Sequence, residues 1–235
     1  MSTFDVIAFD ADDTLWHNER IYTGVQAEFT RLLSSSQDAE VVKKALYQTE
    51  MRNIKSFGYG IKSFTLSMIE TAVELTEGRI SALDIQAIID LGKGMLDAKV
   101  ELLEYTAETI AQLSTRYRLM VITKGDLQDQ QTKLARSGLG RHFQFFEVVN
   151  DKTREIYESL LKKQSIESGR FLMVGNSLRS DILPILELGG QAVYIPYQIT
   201  WLHESAEVPP QGTTGFHQLD HLGQLPNLLE QLEER

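Results

Sequence analysis

The 235-residue sequence contains no cysteine. Disulfide bonds, thiolate metal sites and thiol nucleophiles are therefore excluded, although a chain without cysteine fits any redox compartment. No apolar stretch approaches the roughly 20 residues that a helix needs to cross a bilayer. The first five residues lead directly into a strand-like segment and lack the basic and apolar parts of a signal peptide. We therefore expect a cytoplasmic protein with no membrane partner.

Positive charge is also scarce, since 23 Lys and Arg residues stand against 33 Asp and Glu residues, for a formal net charge of −10. A field of this sign repels nucleic acid phosphates, so we expect no nucleic acid partner. The same field disfavours small anionic substrates. Any phosphate ligand would need strong local positive charge from a bound cation or a well-placed lysine. Nothing in the sequence indicates the oligomeric state.

Two kinds of hydrophobic pattern divide the chain. From about residue 17 to 98, apolar residues recur at helical spacing, as at Phe64, Met68 and Ala72. From about residue 100, helical segments alternate with short β-branched or aromatic runs, which is typical of the βα units of a parallel sheet. The predicted strands cover residues 6–9, 119–122, 145–149, 171–174 and 192–195.

These patterns predict an α/β protein with a doubly wound parallel sheet and an inserted all-helical domain. The core would comprise residues 1–16 and 99–235, and the insertion residues 17–98. Gly92 and Gly94 interrupt the last helical pattern of the insertion, which indicates either close packing or a hinge. The final 35 residues are predicted to form a surface excursion that ends in a short helix at about 226–232.

Three acids follow the first predicted strand in the segment Asp10-Ala11-Asp12-Asp13-Thr14. Asp10 and Asp12 occupy alternate positions, so both side chains should lie on one side of the strand end, where open α/β sheets bind ligands. Their mutual repulsion indicates that a metal ion or a proton lies between them. A simple acidic turn or helix N-cap is the alternative, because Asp and Thr are common at such positions. Asp13 should point away from the other two and have a structural role.

Polar residues suited to phosphate follow the second and third strands. Thr123 is followed by Lys124 and Gly125, so that a hydroxyl group and backbone amides can hold phosphate oxygens while Gly125 allows close approach. The alternative is a strand-ending Thr with Asp126 as a helix N-cap. After the third strand, Lys152 could act as a fixed cation in the same crevice, although lysines at helix starts are more often solvated.

The fourth strand leads into Gly175, Asn176 and, five positions after Asn176, Asp181. Amide and carboxylate oxygens of this kind suit Mg²⁺, which keeps several waters and takes only one or two carboxylates besides phosphate. The acidic segment after the first strand and this segment after the fourth would then converge on one ion.

The ordered set Asp10/Asp12/Thr14, Thr123, Lys152 and Gly175-Asn176 with Asp181 resembles the four motifs of the haloacid dehalogenase superfamily, and the helical insertion resembles its type 1 cap. The resemblance implies a Mg²⁺-dependent phosphomonoester hydrolase that acts on a small phosphorylated metabolite. It implies a nucleophilic role for Asp10, which would form an aspartyl-phosphate, and an acid and base role for Asp12.

The same resemblance implies the remaining site residues. Mg²⁺ would be held by the Asp10 carboxylate, the backbone carbonyl of Asp12, and the fourth-motif residues Asn176 and Asp181. The substrate phosphate would contact a further set of residues, namely Thr14, Thr123, Lys124, Gly125 and Lys152. Asn176 departs from the commoner Asp, which leaves Asp181 as the charged ligand of that motif.

Three other functions compete with the phosphatase. A metal-independent 2-haloacid dehalogenase would share the Asp nucleophile, and Asn176 resembles its fourth motif, but such enzymes have no use for an acid such as Asp12. Phosphoacceptor signalling domains lack an insertion of about 80 residues after the first strand. A non-catalytic protein that keeps the fold and binds a phosphate ligand is the third possibility. Substrate identity would depend on the cap, where Arg52, Lys55, Tyr59 and Lys62 are candidate contacts.

Overall fold

The computed structural model describes residues 3–34, 37–199, 201–210 and 212–234. The described segments contain six strands and nine α-helices. The strands are β1 (Val6–Phe9), β2 (Arg118–Lys124), β3 (Phe145–Val149), β4 (Phe171–Gly175), β5 (Gln191–Tyr194) and β6 (Phe216–Gln218). The helices are α1 (Glu19–Leu32), α2 (Ala39–Phe57), α3 (Ile61–Leu75), α4 (Ala82–Asp97), α5 (Thr106–Leu113), α6 (Leu127–Ser137), α7 (Arg154–Gln164), α8 (Leu183–Glu187) and α9 (Leu225–Glu233).

The six strands form one parallel sheet in the order β3-β2-β1-β4-β5-β6. Alternate side chains of β1 enter two different hydrophobic clusters: Ile7 and Phe9 pack with residues of α5 and α9, whereas Val6 and Ala8 pack with residues of α7 and α8. Both faces of the sheet are therefore buried under helices, as the continuous apolar runs of its strands require. The predicted α/β, doubly wound architecture is confirmed.

The strand order reverses at β1, the central strand. β2 and β3 extend the sheet on one side of β1, and β4, β5 and β6 extend it on the other. A crevice forms at the carboxyl ends of the strands at such a reversal, because the connections on either side lead away in opposite directions. The loops that follow β1, β2 and β4 therefore begin side by side.

The C-terminal region contributes more to the sheet and its core than the sequence indicates. β6 pairs with β5 through Ala192 and Phe216, and Leu225 and Leu229 of α9 are buried in the core. The prediction of a surface excursion was therefore wrong for β6, because a three-residue edge strand is too short to show a period-two pattern. The predicted final helix is confirmed as α9.

The chain divides into two compact units. The first, called the α/β unit, comprises Met1–Glu19, Val100–Lys124 and Thr132–Arg235. The second, called the helical unit, comprises Arg20–Lys99 and Gly125–Gln131. The second unit has its own hydrophobic core, which includes Phe29, Met68 and Ile88.

Within the second unit, the side chains of Asp38 and Ser81 cap the amino ends of α2 and α4. In α4, a Cβ atom on Gly92 would lie 2.2 Å from Thr65 Oγ1 of α3, whereas one on Gly94 would meet nothing within 4 Å. Close packing therefore explains Gly92. No helix in the described segments is long and apolar enough to cross a membrane.

Candidate active site

Three buried charged side chains meet at the carboxyl ends of the strands. Asp10 follows β1, Lys152 lies between β3 and α7, and Asp181 lies in a π-helical turn (Leu178–Ile182) after β4. The Lys152 Nζ atom contacts Asp10 Oδ1 and lies 2.7 Å from Asp181 Oδ1. The three residues are 8%, 3% and 1% exposed, respectively. Lys152 is therefore a buried cation between two carboxylates rather than a solvated helix-start lysine.

The charges of these groups depend on one another. Burial by itself would lower the pKa of Lys152, but the carboxylates of Asp10 and Asp181 raise it, so the ammonium stays charged. Burial raises the pKa of Asp10 to about 7; Lys152 opposes this increase, while Asp181 and Asp12 add to it. Two carboxylates thus share one ammonium, which leaves a local excess of negative charge when both are ionised.

The turn after β4 fixes the direction of Asp181. The Ser177 N–H group donates to Asp181 Oδ2 at 3.0 Å, while Asp181 Oδ1 faces Lys152. A Cβ atom on residue 175 would lie 2.2 Å from Asp181 Oδ2, so only glycine leaves room for the carboxylate there. Gly175 therefore has a steric role in placing Asp181.

A hydroxyl group connects the acidic segment after β1 to the segment after β4. Thr14 Oγ1 lies 3.2 Å from both Asp10 Oδ2 and Asn176 Oδ1. Asp10, Asn176 and Asp181 thus bring two carboxylates and one amide oxygen to the same end of the sheet. The described part of the chain contains no group of three His, Cys, Asp or Glu side chains that could hold a metal ion. The oxygen-only donor set nevertheless fits Mg²⁺, which needs few carboxylates.

Asp12 is half-buried and held by two residues that the sequence did not indicate. Its Oδ1 atom accepts a hydrogen bond from Trp16 Nε1 at 2.7 Å and lies 3.1 Å from Lys133 Nζ, which also binds Asn18. No pattern in the sequence marks the Trp16 indole as a hydrogen-bond donor to Asp12. Lys133 is one lysine on the polar helix α6, and no motif marks it.

Asp13 has the structural role that the sequence predicts. Its carboxylate accepts hydrogen bonds from the N–H groups of Asn18, at 2.8 Å, and Glu19, at 3.0 Å, directly where α1 begins. Its φ angle of 63° lies in the left-handed region, which Asp tolerates better than most residues. Asp13 therefore fixes the exit of the chain from the acidic segment.

Thr123 and Lys124 are the last two residues of β2 and Gly125 follows it, but the Lys124 side chain has protein partners. Thr123 is buried at the strand end, and Gly125 adopts a φ angle of 133°. The Lys124 ammonium contacts Glu204 and lies 2.9 Å from Ser180 Oγ. The phosphate-binding roles of these three residues stay predictions.

Glu204 is, after Lys133, a second charged residue near these motifs that the sequence did not reveal. It lies in a short 3₁₀ turn (Leu202–Glu204), and its side chain is 15% exposed. Its Oε2 atom accepts hydrogen bonds from Ser177 Oγ and Ser180 Oγ, each at 2.5 Å. A single Glu in a region predicted as a surface excursion gave no signal of this placement.

Two of the four candidate substrate contacts of the helical insertion, Arg52 and Lys62, form ion pairs within the second unit. Arg52 lies 2.9 Å from Glu74, and Lys62 lies 2.9 Å from Asp126. Asp126 also accepts a hydrogen bond from the Asp129 N–H group at 3.1 Å, which is the helix-capping role considered for it from the sequence.

Comparisons with known proteins agree with this geometry. The family model of the haloacid dehalogenase-like hydrolases matches residues 4–189. A crystal structure of a haloacid dehalogenase-like family hydrolase from Xanthomonas campestris is 38% identical and has a TM-score of 0.88, and the match covers 99% of this chain and 93% of that one.

Two curated relatives are more distant. The 5-amino-6-(5-phospho-D-ribitylamino)uracil phosphatase YigB of Escherichia coli is 21% identical, over 83% of this chain and 84% of that protein. The N-acylneuraminate-9-phosphatase of Rattus norvegicus is 23% identical, over 99% of this chain and 96% of that protein. Since the family model spans most of the sequence and the sheet carries the motif residues at its strand ends, this chain belongs to the haloacid dehalogenase-like hydrolases.

Proposed function

We propose that this hydrolase is a Mg²⁺-dependent phosphomonoesterase that acts on a small phosphorylated metabolite through an aspartyl-phosphate intermediate. The observation that carries the proposal is the buried contact of Asp10 with Lys152, with a second acid, Asp12, two residues further on. The phosphatase names of the two curated relatives support the same reaction class.

In the first step, a carboxylate oxygen of Asp10 would attack phosphorus, and the bond from phosphorus to the ester oxygen would break. The Lys152 ammonium and the Thr14 hydroxyl contact the two oxygens of Asp10, so the nucleophile has a fixed orientation. Because Asp10 is almost fully buried, little solvent competes for it. Asp12 would donate a proton to the departing alcohol oxygen.

In the second step, the Asp12 carboxylate would accept a proton from water, which attacks phosphorus and releases inorganic phosphate and the Asp10 carboxylate. Trp16 Nε1 and Lys133 Nζ both contact Asp12 Oδ1 and so fix the orientation of this carboxyl group in the site. One residue thus gives up a proton in the first half-reaction and recovers it in the second.

The metal site would comprise the side chains of Asp10, Asn176 and Asp181 and the backbone carbonyl of Asp12. When bound, Mg²⁺ supplies positive charge to the phosphoryl group and keeps Asp10 ionised. Thr14, Thr123, Lys152 and the backbone at Lys124 and Gly125 would hold the phosphate oxygens. The neutral Asn176 is expected to contribute less to metal affinity than an Asp at that position.

We also propose separate roles for the two parts of the chain. Residues 1–16 and 99–235 would carry the chemistry, and residues 17–98 would form a cap of type 1 that selects the substrate and limits water. The terminal residues Met1, Ser2 and Arg235 of these ranges lie outside the described residues. A cytoplasmic location stays a prediction.

The phosphatase assignment is tested by hydrolysis of p-nitrophenyl phosphate with and without Mg²⁺. We expect metal-dependent release of p-nitrophenol and a loss of about 10³-fold or more in Asp10→Asn, because the amide cannot act as the nucleophile. Glu158→Gln, an equivalent change at an exposed position of α7, should retain the wild-type rate. A broad screen of phosphorylated metabolites would then identify the natural substrate.

Two results would contradict the proposal. Turnover of chloroacetate without metal would identify a dehalogenase, the enzyme class whose fourth motif Asn176 resembles. No turnover of any ester or haloacid in the screen, with a folded protein, would identify a non-catalytic binding protein.

A further inference from the structure

A second polar cluster, largely buried, lies in the α/β unit, and the proposed reaction uses none of its side chains. Its centre is the carboxylate of Glu204, which contacts the Lys124 ammonium at the end of β2 and the hydroxyl groups of Ser177 and Ser180 after β4. Lys124 also donates to Ser180 Oγ, at 2.9 Å. One side chain from the C-terminal region therefore joins the ends of two strands.

The carboxylate of Glu204 is ionised in this position. Burial alone would raise its pKa, but the Lys124 ammonium and the two serine hydroxyl groups lower it to about 2. An exposed ion pair contributes only about 0–1 kcal/mol because water screens it. This pair differs, since both side chains are about 85% buried and further hydrogen bonds satisfy the carboxylate.

The two serines connect Glu204 to Asp181. Ser177 directs its N–H group to Asp181 Oδ2, at 3.0 Å, and its Oγ atom accepts a hydrogen bond from the Ser180 N–H group, also at 3.0 Å. Asp181 lies next to Ser180 in the same turn and faces Lys152 at 2.7 Å. A continuous series of contacts thus runs from Glu204 through the turn to Lys152 and Asp10.

The turn has a second contact besides Glu204, because the Tyr157 hydroxyl donates to the Ser180 carbonyl oxygen at 3.1 Å. Tyr157 holds the backbone of the turn, whereas Glu204 holds its two hydroxyl groups. Without Glu204, both hydroxyl groups and the Lys124 ammonium would lose their common acceptor. The turn would then keep its local hydrogen bonds and its contacts with Tyr157, Lys124 and Lys152, but no acceptor would join its two hydroxyl groups to Lys124.

We infer that Glu204 is a positioning residue that fixes the turn from Ser177 to Asp181 and thereby holds the Asp181 carboxylate against Lys152. Its effect on catalysis rests on the proposed phosphatase function, whereas its effect on the turn does not. Lys124 would then serve as the charge partner that keeps Glu204 in place.

The structural part is tested by amide hydrogen exchange of the full-length protein, measured by mass spectrometry on peptides that cover residues 175–182. In Glu204→Gln and Glu204→Ala we expect exchange in this segment to be about tenfold faster, since the turn opens more often. Glu207→Gln, an exposed change three residues further on, is the control and should exchange as the wild type does.

Exchange in β1 separates a local effect from unfolding. Unchanged protection of β1 with faster exchange of the turn supports the inference. Equal exchange of the turn in the wild type and in Glu204→Gln would overturn it, and so would equally faster exchange of the turn and β1 in both variants.

The catalytic part is tested with p-nitrophenyl phosphate and Mg²⁺. In Glu204→Gln we expect kcat to fall about 10- to 100-fold while KM changes less than about twofold, because a displaced Asp181 affects the reacting geometry more than substrate binding. The double variant Asp181→Asn/Glu204→Gln should be no slower than Asp181→Asn alone, since the two residues act in series.

Independent, multiplicative losses in the double variant would show that Glu204 acts elsewhere and would overturn this part. If the wild type itself does not hydrolyse phosphate esters, the proposed function fails. The hydrogen-exchange comparison then still decides whether Glu204 positions the turn.

Discussion

Replacing Glu204 by Gln should make the stability of the α/β unit less dependent on pH. The pKa of this carboxyl falls from an ordinary value of 4.5 to about 2 in the folded protein. A group with a lowered pKa in the folded state stabilises the protein above its unfolded pKa and loses that contribution as the pH falls toward the folded value. The contribution is about 3 kcal/mol at pH 7, because each pH unit between the two pKa values corresponds to about 1.4 kcal/mol.

The contribution does not disappear at once on acidification. Between pH 7 and pH 3, about 2 kcal/mol of it should be lost, since the unfolded chain takes up its proton near pH 4.5 while folded Glu204 stays ionised. Glutamine has no proton to take up in this range. The difference in unfolding free energy between the wild type and Glu204→Gln should therefore be largest at neutral pH and shrink on acidification.

Urea unfolding measured by tryptophan fluorescence provides the assay. The two tryptophans of the chain, Trp16 and Trp201, both belong to the α/β unit, so the signal reports on that unit. Glu207→Gln should show the pH dependence of the wild type. A difference between the wild type and Glu204→Gln that stays constant from pH 7 to pH 3, or is below about 0.5 kcal/mol throughout, would refute the charge assignment of Glu204.

Two further predictions concern stability. Gly92→Ala should destabilise the helical unit by about 1–2 kcal/mol, since the added Cβ atom would lie 2.2 Å from Thr65 Oγ1. Gly94→Ala should stabilise the same unit by up to about 1 kcal/mol, because nothing lies within 4 Å of its added Cβ atom. Thermal unfolding of both variants tests whether the two effects have opposite signs. Asp13→Ala should lower the unfolding free energy by about 2 kcal/mol, since the N–H groups of Asn18 and Glu19 lose their acceptor and Ala disfavours the left-handed backbone. A loss below about 0.5 kcal/mol in urea unfolding would contradict this role.

The sequence predicted those parts of the fold that are buried on both faces. β1, β4 and residues 119–122 of β2 are continuous apolar runs, which is the pattern of a central parallel strand. β6, at the sheet edge, has three residues with one apolar side chain, and its formation depends on pairing with β5. Local pattern alone cannot predict such a strand.

The candidate site, like the fold, could be predicted from the sequence only where a residue lies next to a predictable strand. Asp10, Lys152 and Asp181 each follow a strand or lie in the first turn after one, so their meeting follows from parallel pairing. Lys133 and Glu204 reach the site from an ordinary helix and from a loop after the last motif. One Lys among 23 basic residues, or one Glu among 33 acidic ones, carries no signal of such a contact.

The central position of β1 has a consequence for how the molecule forms. Val6 pairs with Arg118 on one side and with Phe171 on the other, so the first strand of the chain finds both neighbours only after most of the polypeptide is available. Pairings this distant in sequence close slowly, whereas the helices of residues 20–99 make mostly short-range contacts. We expect the helical unit to fold early and β1, which Asp10 follows directly, to be enclosed late.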